Sequence, residues 1–187
     1  MVAGGMGTLI PPSQFHFKIS MLGDRQVGKS CIVKRFVEDK YTGEFLPNAL
    51  GKIYVGNLRV GDCQIIIQIF DDAFHKPDAD LMLKAHYNVH GFMVVYDCEN
   101  RNSFLNCEKW LHSTHTMGPK AANVLLVGNK CDLRGTYHCA VSAQEGEQLA
   151  KSFGVAFIET SAKCEINIES AFAMLALDIG SRVKQKR

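Results

Sequence analysis

Gly23-Asp24-Arg25-Gln26-Val27-Gly28-Lys29-Ser30 is the stretch on which the fold turns, because it fits G-x-x-x-x-G-K-[ST]. The apolar segment Phe15 to Leu22 before it reads as a buried strand, and Lys29 to Val37 reads as the start of a helix. The pattern thus stands at a strand-to-helix junction, the setting a phosphate-binding loop requires. Two glycines let the backbone wrap closely around a phosphate, while successive N–H groups and a helix N-terminus point at it. In such a loop Lys29 reaches the β- and γ-phosphates and Ser30 offers a hydroxyl to Mg²⁺.

Outward from this loop, short apolar runs alternate with longer segments of helical period, the sign of a parallel sheet with crossover helices. The expected strands are Phe15 to Leu22, Lys52 to Val60, Cys63 to Phe70, Gly91 to Asp97, Asn123 to Asn129 and Val155 to Thr160. Gly61-Asp62 joins the second and third by two residues, so that pair is expected as a hairpin and one edge of the sheet as antiparallel. A helix is expected from Ser103 to Thr116 with Ser103 as its N-cap. Another, from Ser142 to Ser152, opens S-x-x-E with Glu145, a capping box. The fold class is therefore α/β, a six-stranded mostly parallel sheet with flanking helices, and ligands in such sheets sit beyond the carboxyl ends of the strands.

Length and charge bound the function. The 187 residues suit one domain, read as 15–180, with a leader at 1–14 and a basic tail at 181–187 carrying Arg182, Lys184, Lys186 and Arg187. Lys+Arg number 21 against 19 Asp+Glu, a net charge of +2, so no basic field argues for a nucleic-acid partner. The 7 cysteines are scattered with no C-x-x-C pair, which fits a reduced cytoplasmic protein better than a disulfide scaffold or zinc site. No run approaches a membrane span.

The nucleotide is read from two further motifs at strand ends, Asn129-Lys130-Cys131-Asp132 and Thr160-Ser161-Ala162-Lys163. The Asp132 carboxylate can accept two parallel hydrogen bonds from the ring N–H and exocyclic amine of guanine, an edge that adenine lacks. With Val94-Val95-Tyr96-Asp97, Asn102-Ser103-Phe104 and Trp110-Leu111, the chain from about Phe15 to Leu177 resembles the Ras superfamily of small GTPases, most closely the Rab family. The resemblance implies the P-loop NTPase small-GTPase fold with GTP/GDP and Mg²⁺ as ligands. It implies nucleotide contacts from Gly23, Arg25, Gln26, Val27, Gly28, Lys29, Ser30 and Cys31 in the loop. Asn129, Lys130, Asp132, Ser161, Ala162 and Lys163 would lie around the base, with Tyr41 against it or left as a surface aromatic. Ser30 and Asp71 would hold the metal, and Lys29 would serve catalysis.

Departures from the family pattern cluster where the γ-phosphate is sensed. After Asp71 the family continues Thr-Ala-Gly-Gln, whereas this chain reads Asp72-Ala73-Phe74-His75. Phe74 replaces the glycine whose N–H meets the γ-phosphate, and a phenyl side chain restricts backbone approach there. His75 replaces the glutamine that orients the attacking water, and its donor and acceptor pattern differs from a primary amide. It is a weak catalytic candidate. Asn48, or Ala49 in the other alignment, stands where the family places a metal-binding threonine. Arg25 lies over the phosphates or points into solvent. Pro77, with Asp78 and Asp80, is expected to shorten or redirect the helix of the second switch, and the family's aromatic triad maps to Ile53, Phe70 and Ala85.

Two functions follow. One is a slow GTP-hydrolysing switch in intracellular signalling or trafficking; the alternative is a pseudo-GTPase that holds GDP or GTP structurally and serves as an adaptor or complex subunit. Protein partners, whether effectors, exchange factors or complex subunits, would engage the two switch regions, and the chain alone is expected to be monomeric. It carries no prenylation cysteine near Arg187, which leaves peripheral membrane association open. His112 and His115, three apart on one helix, form a metal pair only if a third ligand joins them.

Overall fold

The computed structural model describes residues 14–41, 52–71, 88–134 and 140–185. Among them, chain order runs β1 (Gln14–Leu22), α1 (Lys29–Glu38), β2 (Lys52–Val60), β3 (Cys63–Asp71), β4 (Gly91–Asp97) and α2 (Arg101–Met117). It continues through β5 (Asn123–Asn129), a short 3₁₀ turn (Cys131–Leu133), α3 (Ala143–Phe153), β6 (Ala156–Thr160) and α4 (Ile168–Gln185). The six strands form one sheet in the order β2-β3-β1-β4-β5-β6. Only β2 and β3 pair antiparallel, from Lys52 opposite Asp71 to Val60 opposite Cys63, as the two-residue Gly61-Asp62 link requires.

Helices cover both faces, and this explains why the central strands read as unbroken apolar runs. Every residue of β4, Gly91 to Asp97, is buried. Its side chains divide by the period of two: Met93 and Val95 join α1 and α4 in one core, with Ile32, Val33, Phe172 and Leu175. Phe92, Val94 and Tyr96 join α2 and α3 in the other, with Trp110, Leu111 and Leu149. Each large side chain buried in this way contributes about 1.5–3 kcal/mol. Between α1 and α4 the Phe36 and Phe172 rings stack at 4.0 Å.

The helix ends agree with the sequence in one case and correct it in the other. Ser142 and Glu145 form the expected reciprocal capping box at α3. Their bonds, with a further one from Arg101, hold the Glu145 carboxyl down at about 2. At α2 the cap is Asn100, not Ser103: the Asn100 side chain accepts from the N–H groups of Asn102 and Ser103. The Ser103 hydroxyl lies inside the first turn, where it donates to the Asn100 carbonyl at 2.8 Å and accepts from the Asp97 N–H at 3.0 Å. Two cap-forming residue types within four positions made the sequence ambiguous, and the earlier one wins because Ser103 is needed to tie the helix to the end of β4.

Candidate functional site

The carboxyl ends of β1, β3, β4, β5 and β6 converge on one rim of the sheet, and the three motifs lie on that rim. The loop Gly23–Ser30 leaves β1 and turns directly into α1. Gly23 takes φ 132, and a Cβ there would stand 2.2 Å from the Val95 carbonyl oxygen; Gly28 takes φ 95, and a Cβ there would stand 2.2 Å from Nδ2 of Asn129. Both glycines are therefore demanded twice, by dihedral and by contact.

Lys29 is buried in this loop, and its ammonium donates to the carbonyls of Gly23 and Asp24, each at 2.7 Å. Val27 is buried beneath the loop, while Arg25 and Gln26 are exposed on it. Ser30 follows in the first turn of α1 and hydrogen-bonds to the carboxylate of Asp71 at the end of β3. Asp71 is only 2% exposed. Burial pushes its carboxyl up, while the Ser30 bond and the charges of Lys29, Lys34 and Lys52 pull it down. A hydroxyl and a carboxylate side by side are the hard oxygen donors that suit Mg²⁺, so these two residues fit that ion. The Cys31 thiol is raised by burial and feels the charges of Lys34 on α1, Lys130 and Asp71.

Asn129 links the first motif to the other two. Its Nδ2 donates to the Val27 carbonyl at 2.9 Å, and its Oδ1 accepts from the Thr160 hydroxyl at 3.2 Å and the Ala162 N–H at 3.3 Å. The Ala162 carbonyl in turn accepts from Nε of Arg35 on α1 at 3.0 Å. Lys130 adopts the left-handed region at φ 65, and its ammonium meets the Asp97 carboxylate at 2.5 Å. Asp132 sits in the 3₁₀ turn, and its Oδ1 is buried with no hydrogen-bond partner among the described residues. A buried carboxylate oxygen without a donor is costly, and the N–H edge of a guanine is a donor of the right kind. The residues present therefore fit that base.

Ser161 is buried and pairs with Ile166 across a one-residue bridge, closing the turn that carries exposed Lys163. Tyr41 follows α1 with 41% of its surface exposed. His112 and His115 both lie edge-on to the Phe153 ring. Among the described residues no group of three or more His, Cys, Asp or Glu side chains is gathered for a metal. Asn48, Ala49, Asp72, Ala73, Phe74, His75, Pro77, Asp78, Asp80 and Ala85 lie outside the described residues. Three roles escaped the sequence reading. Asp97 and Thr160 stood in motifs already singled out at strand ends, but their bonds to Lys130 and Asn129 did not show there; Arg35 acts across 127 positions and had no signal.

Comparison with known proteins gives the family. Residues 18–181 match the model of the Ras family. The chain is 35% identical over 172 residues to the Ras-related protein Rab-8A of Gallus gallus, covering 92% of this chain and 82% of that protein. It is 33% identical over 176 residues to the Ras-related protein Rab-1D of Dictyostelium discoideum, covering 94% and 85%. With the Ras-related protein RIC1 of Oryza sativa subsp. japonica it shares 34% over 173 residues, covering 92% and 85%. No described helix is long and apolar enough to cross a membrane. The chain belongs to the Ras family of small GTPases, and within it is Rab-like.

Proposed function

We propose that this chain binds GTP and GDP on the rim described above and acts as a slow GTP-hydrolysing switch. The observation that carries the reading is the Asn129 amide. It joins the phosphate-loop carbonyl of Val27 to the turn at Ala162, so the phosphate-binding and base-reading motifs form one site. The bonds from Asn129 fix the Ala162 turn relative to the phosphate loop, which lowers the cost of ordering that turn on binding.

Lys29 and the N–H groups from Gly23 to Cys31 stabilise charge on the β- and γ-phosphates while water attacks the γ-phosphorus in line. A buried ammonium is expensive to hold, and a phosphate in the loop offsets that cost. Ser30 and Asp71 would hold Mg²⁺, whose charge would offset that of the phosphate oxygens. His75 is a poorer water-positioner than a glutamine, which is why we assign slow turnover. Arg25, Gln26, Tyr41, Ser161 and Lys163 complete the nucleotide contacts. Partner proteins meet the two switch regions and the adjoining outer face of β2, where Ile53 and Val55 are 60% and 56% exposed. Nothing among the described residues or in the relatives favours the adaptor alternative.

Labelled GDP binding and multiple-turnover hydrolysis by the full chain test this. Asp132→Ala is expected to weaken GDP by roughly ten- to hundredfold, the worth of a bidentate base contact. ATP in excess should not displace the label. Phosphate release no faster than from Lys29→Ala, or ATP competing as well as GTP, overturns the reading.

A further inference from the structure

The loop carries a carboxylate of its own. Asp24 has one oxygen accepting from the indole N–H of Trp110 at 3.0 Å and the other accepting from the Asn106 amide at 2.7 Å. Both donors stand on α2, four residues apart and so on one face of the helix. Trp110 is fully buried, and α2 is itself fixed to β4 through Ser103 and Asn100. The Asp24 backbone carbonyl accepts from Lys29.

A carboxylate in a loop shaped for a polyanion repels its ligand unless that charge is turned aside and dispersed. Two N–H donors, one for each oxygen, do both, and bonds to an ionised acceptor are roughly twice as strong as neutral ones. The same residue that they hold through its side chain supports the Lys29 ammonium through its main chain. We propose that Trp110 and Asn106 are positioning residues: by fixing Asp24 from α2 they set the seat of Lys29 and govern how long a nucleotide stays in the loop. The proposal rests on the reading of Gly23–Ser30 as the nucleotide site.

Release of a fluorescent GDP analogue from the full chain is the test. Trp110→Phe and Asn106→Leu are each expected to speed release about tenfold, the scale of one charge-assisted hydrogen bond. Asp24→Ala should do likewise. Adding Trp110→Phe to Asp24→Ala should change the rate less than twofold, since the partner is already gone. Trp110 is the sole tryptophan, so its emission should shift when nucleotide is stripped from the wild type and stay constant in Asp24→Ala.

Release within twofold of wild type in both donor variants overturns the proposal. So does an equal acceleration by Trp110→Phe with and without the Asp24 carboxylate, which marks packing alone. If Trp110→Phe does not fold, Asn106→Leu carries the same cycle. A wild type that retains no labelled GDP overturns the nucleotide reading and the proposal together, whereas failure of the proposal alone leaves wild-type retention intact.

Discussion

The two ends of the sheet solve opposite problems. At β5 and β6 a set of polar groups near the rim is held by other parts of the chain: Asn129 by Val27, Thr160 and Ala162, Lys130 by Asp97, and the Ala162 carbonyl by Arg35. At β2 the strand is an edge, and its outer face leaves Ile53 and Val55 in solvent. A site for a small rigid ligand gains from being shaped in advance, because binding then orders little. An apolar edge left uncovered contributes little to the fold and is available to a second surface. The braced end should therefore be expensive to alter in stability, and the open end cheap.

Asn129→Ala attacks the braced end at its hub and carries the largest expected effect. It strands the Val27 carbonyl, the Thr160 hydroxyl and the Ala162 N–H, so we expect a loss of about 3–5 kcal/mol in urea unfolding. A loss below about 1 kcal/mol breaks the contrast.

A middle-sized effect is expected at the base of β4, away from the rim. The Lys18 N–H donates to Nδ1 of His90 at 2.9 Å, a bond that only the unprotonated nitrogen accepts. Burial, then the charges of Arg182 and Lys18, lower this histidine below the ordinary 6.5. The unfolded state thus binds the proton more readily. Stability contributed by neutral His90 is complete above about pH 6.5 and is lost as pH falls through the lowered folded value. His90→Asn, which keeps an acceptor that does not titrate, should flatten this slope in unfolding free energy measured from pH 7.5 to 5. An unchanged slope assigns the effect elsewhere.

The smallest effect is expected at the open edge. Ile53→Asp with Val55→Lys should move the unfolding free energy by no more than about 0.5 kcal/mol, while removing the apolar surface offered to partners. A larger loss means that the edge is covered within the chain.

The sequence made the sheet legible because buried strands, a two-residue hairpin link and strand-end motifs are all local patterns. The capping box at Ser142 and Glu145 was equally local. The Asn100 cap was lost to a rival serine three positions on, since proximity in sequence cannot say which hydroxyl or amide the neighbouring strand will claim. The site was legible as residue types but not as roles. Asn129 appeared as a base reader, while its three bonds make it a brace, and two of its partners lie 102 and 31 positions away. The donors to Asp24, at 82 and 86 positions, were beyond any motif for the same reason.

The strand order has a consequence in time. β1 is the first strand to leave the ribosome, yet its partners are β3 and β4, whose pairing begins at Gln64 and Gly91. Only the β2–β3 hairpin can close from neighbouring residues. Pairings between distant segments are slow, since a long loop must be closed before any contact rewards it. The phosphate loop, made early, waits still longer, because the Val27 carbonyl is not fixed until Asn129 arrives at the end of β5. A nascent chain therefore has no finished phosphate loop until at least β5 has emerged, and a nucleotide that needs that loop is excluded from most of its synthesis.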